Sequence, residues 1–132
     1  RSARSNGWGG IEPEAMIDGA CHCGALSWRT PALPEHLTQC TCSACRRSGA
    51  LWGEVDPSVT ELIGIDAARE YLTGERTLAF VFCKTCGNLS HWRSRPGHGD
   101  RMKLNFRLAD PTLIKGLKVR TFDGADSWRF LD

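Results

Sequence analysis

The hydrophobic residues of this chain occur in short segments separated by turn residues, a pattern typical of a mainly β protein. Thr77–Cys83 (TLAFVFC) is the most apolar segment, and we expect it to form a strand that is buried on both faces. Arg101–Phe106 (RMKLNF) alternates between polar and apolar side chains, which predicts a strand with one buried face. Further strands are predicted at Ala25–Arg29, Leu37–Cys40, Leu51–Val55, Glu61–Ile65, Arg69–Leu72, Asn88–Arg93 and, at a sheet edge, Val119–Phe122.

Helices are expected to be few and short, because no segment has the periodicity of an amphipathic helix. Ser43–Ser48 is predicted to form a helical turn, and Pro111–Lys118 a turn or a short helix. Residues 1–15 lack periodicity and are rich in Gly, Ser and Arg. We interpret them as a flexible leader, either natural or introduced with an expression vector. Residues 16–132 are expected to form a single domain.

Composition and charge exclude several classes of protein. The chain has 132 residues, with 17 basic and 15 acidic side chains and a formal net charge of +2. This near-neutral balance argues against a nucleic-acid-binding protein that relies on bulk positive charge. We therefore expect no nucleic acid as partner. No apolar run approaches the roughly 18 residues of a membrane span, so we expect no membrane as partner either.

The seven cysteines are odd in number and clustered, which distinguishes them from a disulfide framework. Cysteines gather in this way where a tetrahedral ion must be ligated by thiolates at about 2.3 Å, and we therefore predict zinc. Reduced thiols in turn favour the cytoplasm as the compartment. The clusters are a C-x-C pair (Cys21, Cys23), a C-x-C-x-x-C run (Cys40, Cys42, Cys45) and a C-x-x-C pair (Cys83, Cys86).

Seven thiolates do not divide into two complete tetrahedra, and four plus three is the simplest partition. The C-x-C pair, with both sulfurs on one face if extended, and the C-x-x-C pair, turned with the help of Gly87, would close one structural site. The C-x-C-x-x-C run is left for a second zinc with an open fourth position, a feature of catalytic or ligand-binding sites. Arg46 and Arg47 follow this run, and they either steer an acidic ligand or are ordinary solvated side chains.

Other residue types carry weaker signals. The histidines are candidates for a fourth ligand or a proton carrier, although a surface or hydrogen-bonded role is the expectation for each: His22, His36, His91 and His98. His91 is the preferred candidate, whereas His22 would point away from the metal if it lies on a strand. Trp28, Trp52 and Trp92 are expected in the core rather than along a cleft, and Glu54 and Asp56 are expected to be solvated.

Three motifs resemble the glutathione-dependent formaldehyde-activating (GFA) family, which includes centromere protein V-like zinc domains. They are Gly19–Gly24 (GACHCG), Gln39–Ala50 (QCTCSACRRSGA) and Phe82–Leu89 (FCKTCGNL), and the resemblance extends from Met16 to Gly124. Asn105-Phe106-Arg107 and Phe122-Asp123-Gly124 also resemble the family pattern, whereas Thr41 and Asn88 stand where His and Ser are common. The resemblance implies a β-tent (Mss-four-like) fold, in which antiparallel sheets are stacked and carry zinc sites.

The resemblance also implies a division of ligands and an activity. Cys21, Cys23, Cys83 and Cys86 would hold a structural zinc, and Cys40, Cys42 and Cys45 a second, exchangeable zinc of weak or partial occupancy. The family's reaction combines glutathione with formaldehyde to S-hydroxymethylglutathione, formally the reverse of a carbon–sulfur lyase. A substrate thiol would fill the open position, lose its proton there and become the nucleophile. We therefore expect a zinc-dependent enzyme that uses glutathione or another small thiol.

The three-cysteine run also fits two other functions. It could belong to a non-catalytic zinc module that binds a protein partner or carries a thiol ligand. It could also serve as a redox or metal-buffering switch, because oxidation of exposed thiolates releases zinc. A chromatin or microtubule role, known for centromere protein V-like members, is disfavoured by the near-neutral charge.

Overall fold

The computed structural model describes residues 16–132, so the predicted leader, residues 1–15, lies outside the described part of the chain. The described residues form ten short strands and two short helices. The strands are β1 (Ile17–Ala20), β2 (Ser27–Thr30), β3 (Leu37–Cys40), β4 (Trp52–Val55), β5 (Glu61–Ile63), β6 (Ala68–Leu72), β7 (Leu78–Cys83), β8 (Leu89–Ser94), β9 (Met102–Asn105) and β10 (Val119–Phe122). The helices are α1 (Ser43–Ser48) and α2 (Pro111–Ile114), and single 3-10 turns lie at Pro57–Val59, Ile65–Ala67 and Phe106–Leu108.

The strands form two sheets. Three strands form the smaller sheet in the order β1-β2-β5, and seven form the larger one in the order β10-β3-β4-β9-β8-β7-β6. Neighbouring strands are antiparallel, except that β10 runs parallel to β3. The predicted mainly β fold class of stacked sheets is therefore confirmed, and the parallel edge pair is an addition to it.

The main hydrophobic core lies between the two sheets. Trp28 of β2 and Phe106 after β9 are fully buried, with ring centroids 4.9 Å apart. Leu37 and Leu104 of the larger sheet belong to the same cluster. Trp28 accordingly has the core position that the sequence predicts for it.

Most strands lie within two residues of their predicted bounds, but β1 was not predicted. Its sequence, IDGA, contains Asp and Gly, which are rare in strands. The structure gives the reason for the glycine, because a Cβ at Gly19 would overlap the indole ring of Trp28. Packing of β1 against β2, rather than the propensity of its residues, therefore holds this strand in place.

The second face of the larger sheet carries aromatic and charged side chains. The register places Trp52 (β4), Lys103 (β9), Trp92 (β8) and Phe80 (β7) on this face, because paired residues and residues two apart share a side of a sheet. The rings of Trp52 and Phe80 are 5.9 Å apart, although three strand spacings, about 14 Å, separate β4 from β7. These two side chains therefore lean together over β9 and β8. We define these four residues and Glu54 as the aromatic face.

His91 lies on the opposite side of β8, in the core. Its side chain is fully buried, its Nδ1 is 2.9 Å from the Ser90 Oγ, and its Nε2 has no partner within residues 16–132. Burial, together with the charge of Arg93, lowers the pKa of His91 to about 4. The structure brings His91 to neither cysteine cluster, so its buried position does not support the role of fourth ligand for which it was preferred among the histidines.

We expect His91 to reduce stability as the pH is lowered from 7 to 5. Its pKa is about 4 in the folded protein and about 6.5 in an unfolded chain, so between these values protons bind preferentially to the unfolded state. The contribution is fully present above pH 6.5, and about 2 kcal/mol of it is lost at pH 5. Urea unfolding of zinc-loaded wild type and His91→Gln checks this, since the variant should lack that part of the pH dependence. An imidazole that titrates near pH 6.5 by NMR would contradict the prediction.

Candidate metal centres

The first candidate metal centre brings together four cysteines from two turns. Cys21 and Cys23 lie in the turn after β1, and Cys83 and Cys86 lie at the end of β7 and in the turn that follows. All four sulfurs are within 4.8 Å of one another, and the Cys21–Cys23 and Cys23–Cys83 Sγ distances are 3.7 and 3.6 Å. Tetrahedral zinc with 2.3 Å bonds requires sulfurs about 3.8 Å apart. The donor set therefore fits zinc in both chemistry and spacing.

The two turns have similar local geometry. Each ends in a glycine with a left-handed backbone, Gly24 and Gly87, both at φ 82°. Backbone N–H groups point at the sulfurs, since Leu26 N–H donates to Cys21 Sγ at 3.4 Å and Thr85 N–H donates to Cys83 Sγ at 3.4 Å. Gly87 lies in the turn where the sequence analysis expected it. The C-x-C pair, by contrast, lies in a turn and not in the extended strand that its spacing suggested.

Asn88 links the two turns, a role that the sequence did not reveal. Its Oδ1 accepts a hydrogen bond from the backbone N–H of His22 at 2.7 Å and one from the Cys86 thiol at 3.7 Å. His22 itself is exposed. Asn88 therefore holds the Cys21–Gly24 turn against the one that follows β7.

The second candidate metal centre contains three cysteines around the start of α1. Cys40 ends β3, Cys42 is the N-cap of α1, and Cys45 is buried within this helix. Their sulfurs are mutually within 4.8 Å. Cys42 Sγ accepts the backbone N–H of Cys45 at 3.3 Å, and Cys45 Sγ accepts the indole Nε1–H of Trp52 at 3.4 Å. Trp52 is thus a core residue, as expected, and also a hydrogen-bond donor to the cluster.

Two of the sulfurs at this second centre share hydrogen bonds, so that a negative charge is favoured on Cys40 and disfavoured on Cys45. The pKa of Cys40 is lowered to about 5, because the Cys45 thiol and the backbone N–H groups of Cys42 and Gly124 donate hydrogen bonds to its sulfur. The same bond with Cys40, together with burial, raises the pKa of Cys45. A cation that replaces the shared protons would relieve this competition, because thiolates are the form that ligates zinc. The three residues therefore fit a metal ion as a set of ligands.

The loop after β10 forms one wall of the second centre. A Cβ at Gly124 would lie 2.7 Å from Cys40 Sγ and 3.2 Å from Cys42 Cβ, so the loop backbone touches the cluster directly. Thr41 holds the loop there, since its Oγ1 donates to Asp123 Oδ1 at 2.8 Å and accepts the Ala125 N–H at 3.2 Å. Thr41, which stands where His is common in the resembling family, therefore has a positioning role in this chain.

The Asn105-Phe106-Arg107 motif holds the segment that follows α1. Asn105 Oδ1 accepts the Leu51 N–H at 3.2 Å, and its Nδ2 donates to the Leu89 carbonyl at 2.8 Å. Arg107 Nε donates to the Gly49 carbonyl at 2.7 Å. Because Asn105 is buried, these bonds fix the position of the cysteine helix relative to β4 and β8.

The remaining sequence candidates lie outside both clusters in the described part of the chain. Arg46 and Arg47 are exposed in the last turn of α1, and Arg47 Nη1 donates to the Ser43 carbonyl at 3.0 Å. His98 is exposed, and the His36 ring contacts the Phe130 ring edge-on. Glu54 pairs with Arg101, and Asp56 accepts the Ser58 N–H at the start of a 3-10 turn. Within residues 16–132, no helix has both the length and the apolar character that crossing a membrane requires.

The chain is similar to known proteins over most of its described residues. A family model described as glutathione-dependent formaldehyde-activating enzyme matches residues 16–110. Among solved structures, a crystal structure of a Rhodobacter sphaeroides protein is similar with a TM-score of 0.64 and 28% sequence identity, over 77% of this chain and 98% of that chain. No curated protein gives a significant match. The matched residues contain both cysteine clusters, whereas the Phe122–Gly124 loop follows them.

Proposed function

The chain belongs to the glutathione-dependent formaldehyde-activating enzyme family, and on this basis we propose that it is a zinc-dependent enzyme of the carbon–sulfur lyase type. Its substrates are glutathione, or another small thiol, and formaldehyde. The observation that carries the proposal is the three-cysteine cluster, in which three sulfurs converge without a fourth described His, Cys, Asp or Glu ligand. A fourth position left free by the protein is what a catalytic zinc requires.

In this proposal the two clusters have different roles. Cys21, Cys23, Cys83 and Cys86 hold a structural zinc, since four thiolates complete a tetrahedron and leave no position for a substrate. Cys40, Cys42 and Cys45 hold the second zinc, whose formal charge with three thiolates is −1. A soft ligand set of this kind favours exchange of a thiol over activation of water.

The chain's own residues prepare the second centre for a thiol. When bound, zinc supplies a fourth coordination position at which a thiol is readily deprotonated. The Trp52 indole N–H orients the Cys45 sulfur, and the Gly124 backbone packs beside the Cys40 sulfur. Phe80 and Trp92, both on the aromatic face, belong to the same hydrophobic cluster as the three cysteines. The reaction forms one carbon–sulfur bond to formaldehyde, and the thiol proton ends on the former aldehyde oxygen.

This function places the protein in a compartment where thiols are reduced, and we propose the cytoplasm. The partner it requires is a small thiol rather than a macromolecule. The near-neutral charge of the chain agrees with this choice, because a formal net charge of +2 is a small excess for binding a nucleic acid.

The test is exchange NMR of glutathione and formaldehyde with the zinc-loaded protein. We expect wild type to accelerate formation of the adduct, and Cys42→Ser to return the rate to the uncatalysed value. Cys42→Ser is a clean variant because Cys42 is the N-cap of α1 and Ser is a preferred N-cap residue, so the helix start is retained. Glutathione binding without acceleration would instead favour the non-catalytic zinc module.

A further inference from the structure

Lys103 is a cation on the aromatic face that the proposed function does not yet use. It lies at the centre of β9, directly opposite Glu54 on one side and Trp92 on the other. Its side chain is only partly exposed, and its Nζ is 6.0 Å from the Trp92 ring centroid. The pairing of β9 with β4 and β8 therefore fixes the position of Lys103 and accounts for its partial burial.

The charge of Lys103 is influenced by Glu54 but is not held in an ion pair with it. The facing acid, Glu54, is already held by both Nε and Nη2 of Arg101, at 2.7 and 2.8 Å. Lys103 itself forms no ion pair within residues 16–132. Two cations and one anion thus leave one positive charge in excess on this face.

This excess charge lies within electrostatic range of the second cysteine cluster. Burial lowers the pKa of Lys103, and negative charge on Glu54, Cys40 and Cys45 opposes that shift. Trp52 provides the physical connection, since it shares the aromatic face with Lys103 and donates its indole N–H to Cys45. The aromatic face therefore leads from the second cluster, at Trp52, to Lys103 two positions along the register.

We propose that Lys103 determines specificity by binding the carboxylate of the thiol substrate, so that the second centre selects thiols that carry a carboxylate. The inference rests on the proposed function, because it assumes that a thiol binds at the three-cysteine centre. A partly buried ammonium gains a charge-assisted hydrogen bond from a carboxylate. Without this cation, the negative three-thiolate centre would repel an anionic thiol.

The test compares two small thiols of similar size on the zinc-loaded protein by isothermal titration calorimetry. We expect wild type to bind 3-mercaptopropionate roughly tenfold more tightly than 2-mercaptoethanol, as one hydrogen bond to a charged group predicts. Lys103→Met should remove this preference while the zinc content stays unchanged, and Lys103→Arg should keep it. Lys115→Met is the matched control, since Lys115 is exposed at the end of α2, and it should behave as wild type.

Glu54→Gln provides an independent variant, because it releases Arg101 and should increase the preference for the carboxylate. Equal binding of both thiols by wild type, or a preference that survives in Lys103→Met, would overturn the inference and leave the proposed function standing. If neither these thiols nor glutathione binds wild type, the proposed function fails and the inference with it.

Discussion

Cys86→Ser is expected to release one zinc and to unfold the protein, whereas Cys42→Ser should release the other zinc and keep the fold. Both side chains are half-buried, so the difference reports on the metal rather than on lost packing. Structural zinc contributes on the order of 10 kcal/mol to folding, which is comparable to the whole stability of a domain. The four-cysteine centre joins the turn between β1 and β2 to the end of β7 and the turn that follows.

The measurement is metal content by mass spectrometry together with circular dichroism on the same samples. Wild type should carry two zinc ions per chain and each variant one or fewer, with the ordered far-ultraviolet spectrum lost in Cys86→Ser alone. Addition of a chelator to wild type should first remove the zinc of the three-cysteine centre without unfolding. Equal unfolding of the two variants would show that both ions are structural and would remove the basis for catalysis at Cys42.

Gly124→Ala should weaken metal binding at the second centre by roughly 10–100-fold, the usual effect of disturbing a group that orients metal ligands. The added Cβ would lie 2.7 Å from Cys40 Sγ, well inside van der Waals contact. The loop has little freedom to move away, because Thr41 binds both Asp123 and Ala125. Turnover with glutathione and formaldehyde should fall with the metal.

Gly116→Ala is the matched control for this substitution, since a Cβ at Gly116 would meet nothing within 4 Å. Competition with a chromogenic chelator gives the zinc affinity of the weaker site in both variants. We expect Gly116→Ala to match wild type and the four-cysteine zinc to be retained in both. An unchanged affinity in Gly124→Ala would mean that the loop does not form a wall of the centre.

Most strands could be predicted because the pattern that indicates a strand lies within the strand's own residues. Alternation and apolar runs place β7 and β9 within a residue of their observed bounds. β1 was not predicted, because Asp18 and Gly19 are residue types that are rare in strands. A glycine is needed at position 19 because the Trp28 ring lies against it, and only the folded chain defines the position of that ring. The parallel pairing of β10 with β3 is equally invisible to a local pattern.

The cysteine groups followed from spacing, but their surroundings did not. Asn88 and Trp52 act on the clusters through an amide oxygen and an indole N–H, and neither residue type carries a metal signal by itself. Lys103 was part of a recognised alternating segment, yet its relation to the second centre depends on cross-strand register. The runs Asn105-Phe106-Arg107 and Phe122-Asp123-Gly124 gave a hint, since both match the family pattern, but the sequence assigned them no role.

The long reach of the Thr41–Asp123 bond, which joins residues 82 positions apart, has a consequence for biosynthesis. Every candidate ligand of the four-cysteine centre has left the ribosome once residue 86 has emerged, and Asn88, which links its two turns, follows two residues later. The second centre gains its glycine wall only after translation has reached residue 124. A chain that stops before this point would lack the wall that Gly124 forms beside Cys40 and Cys42.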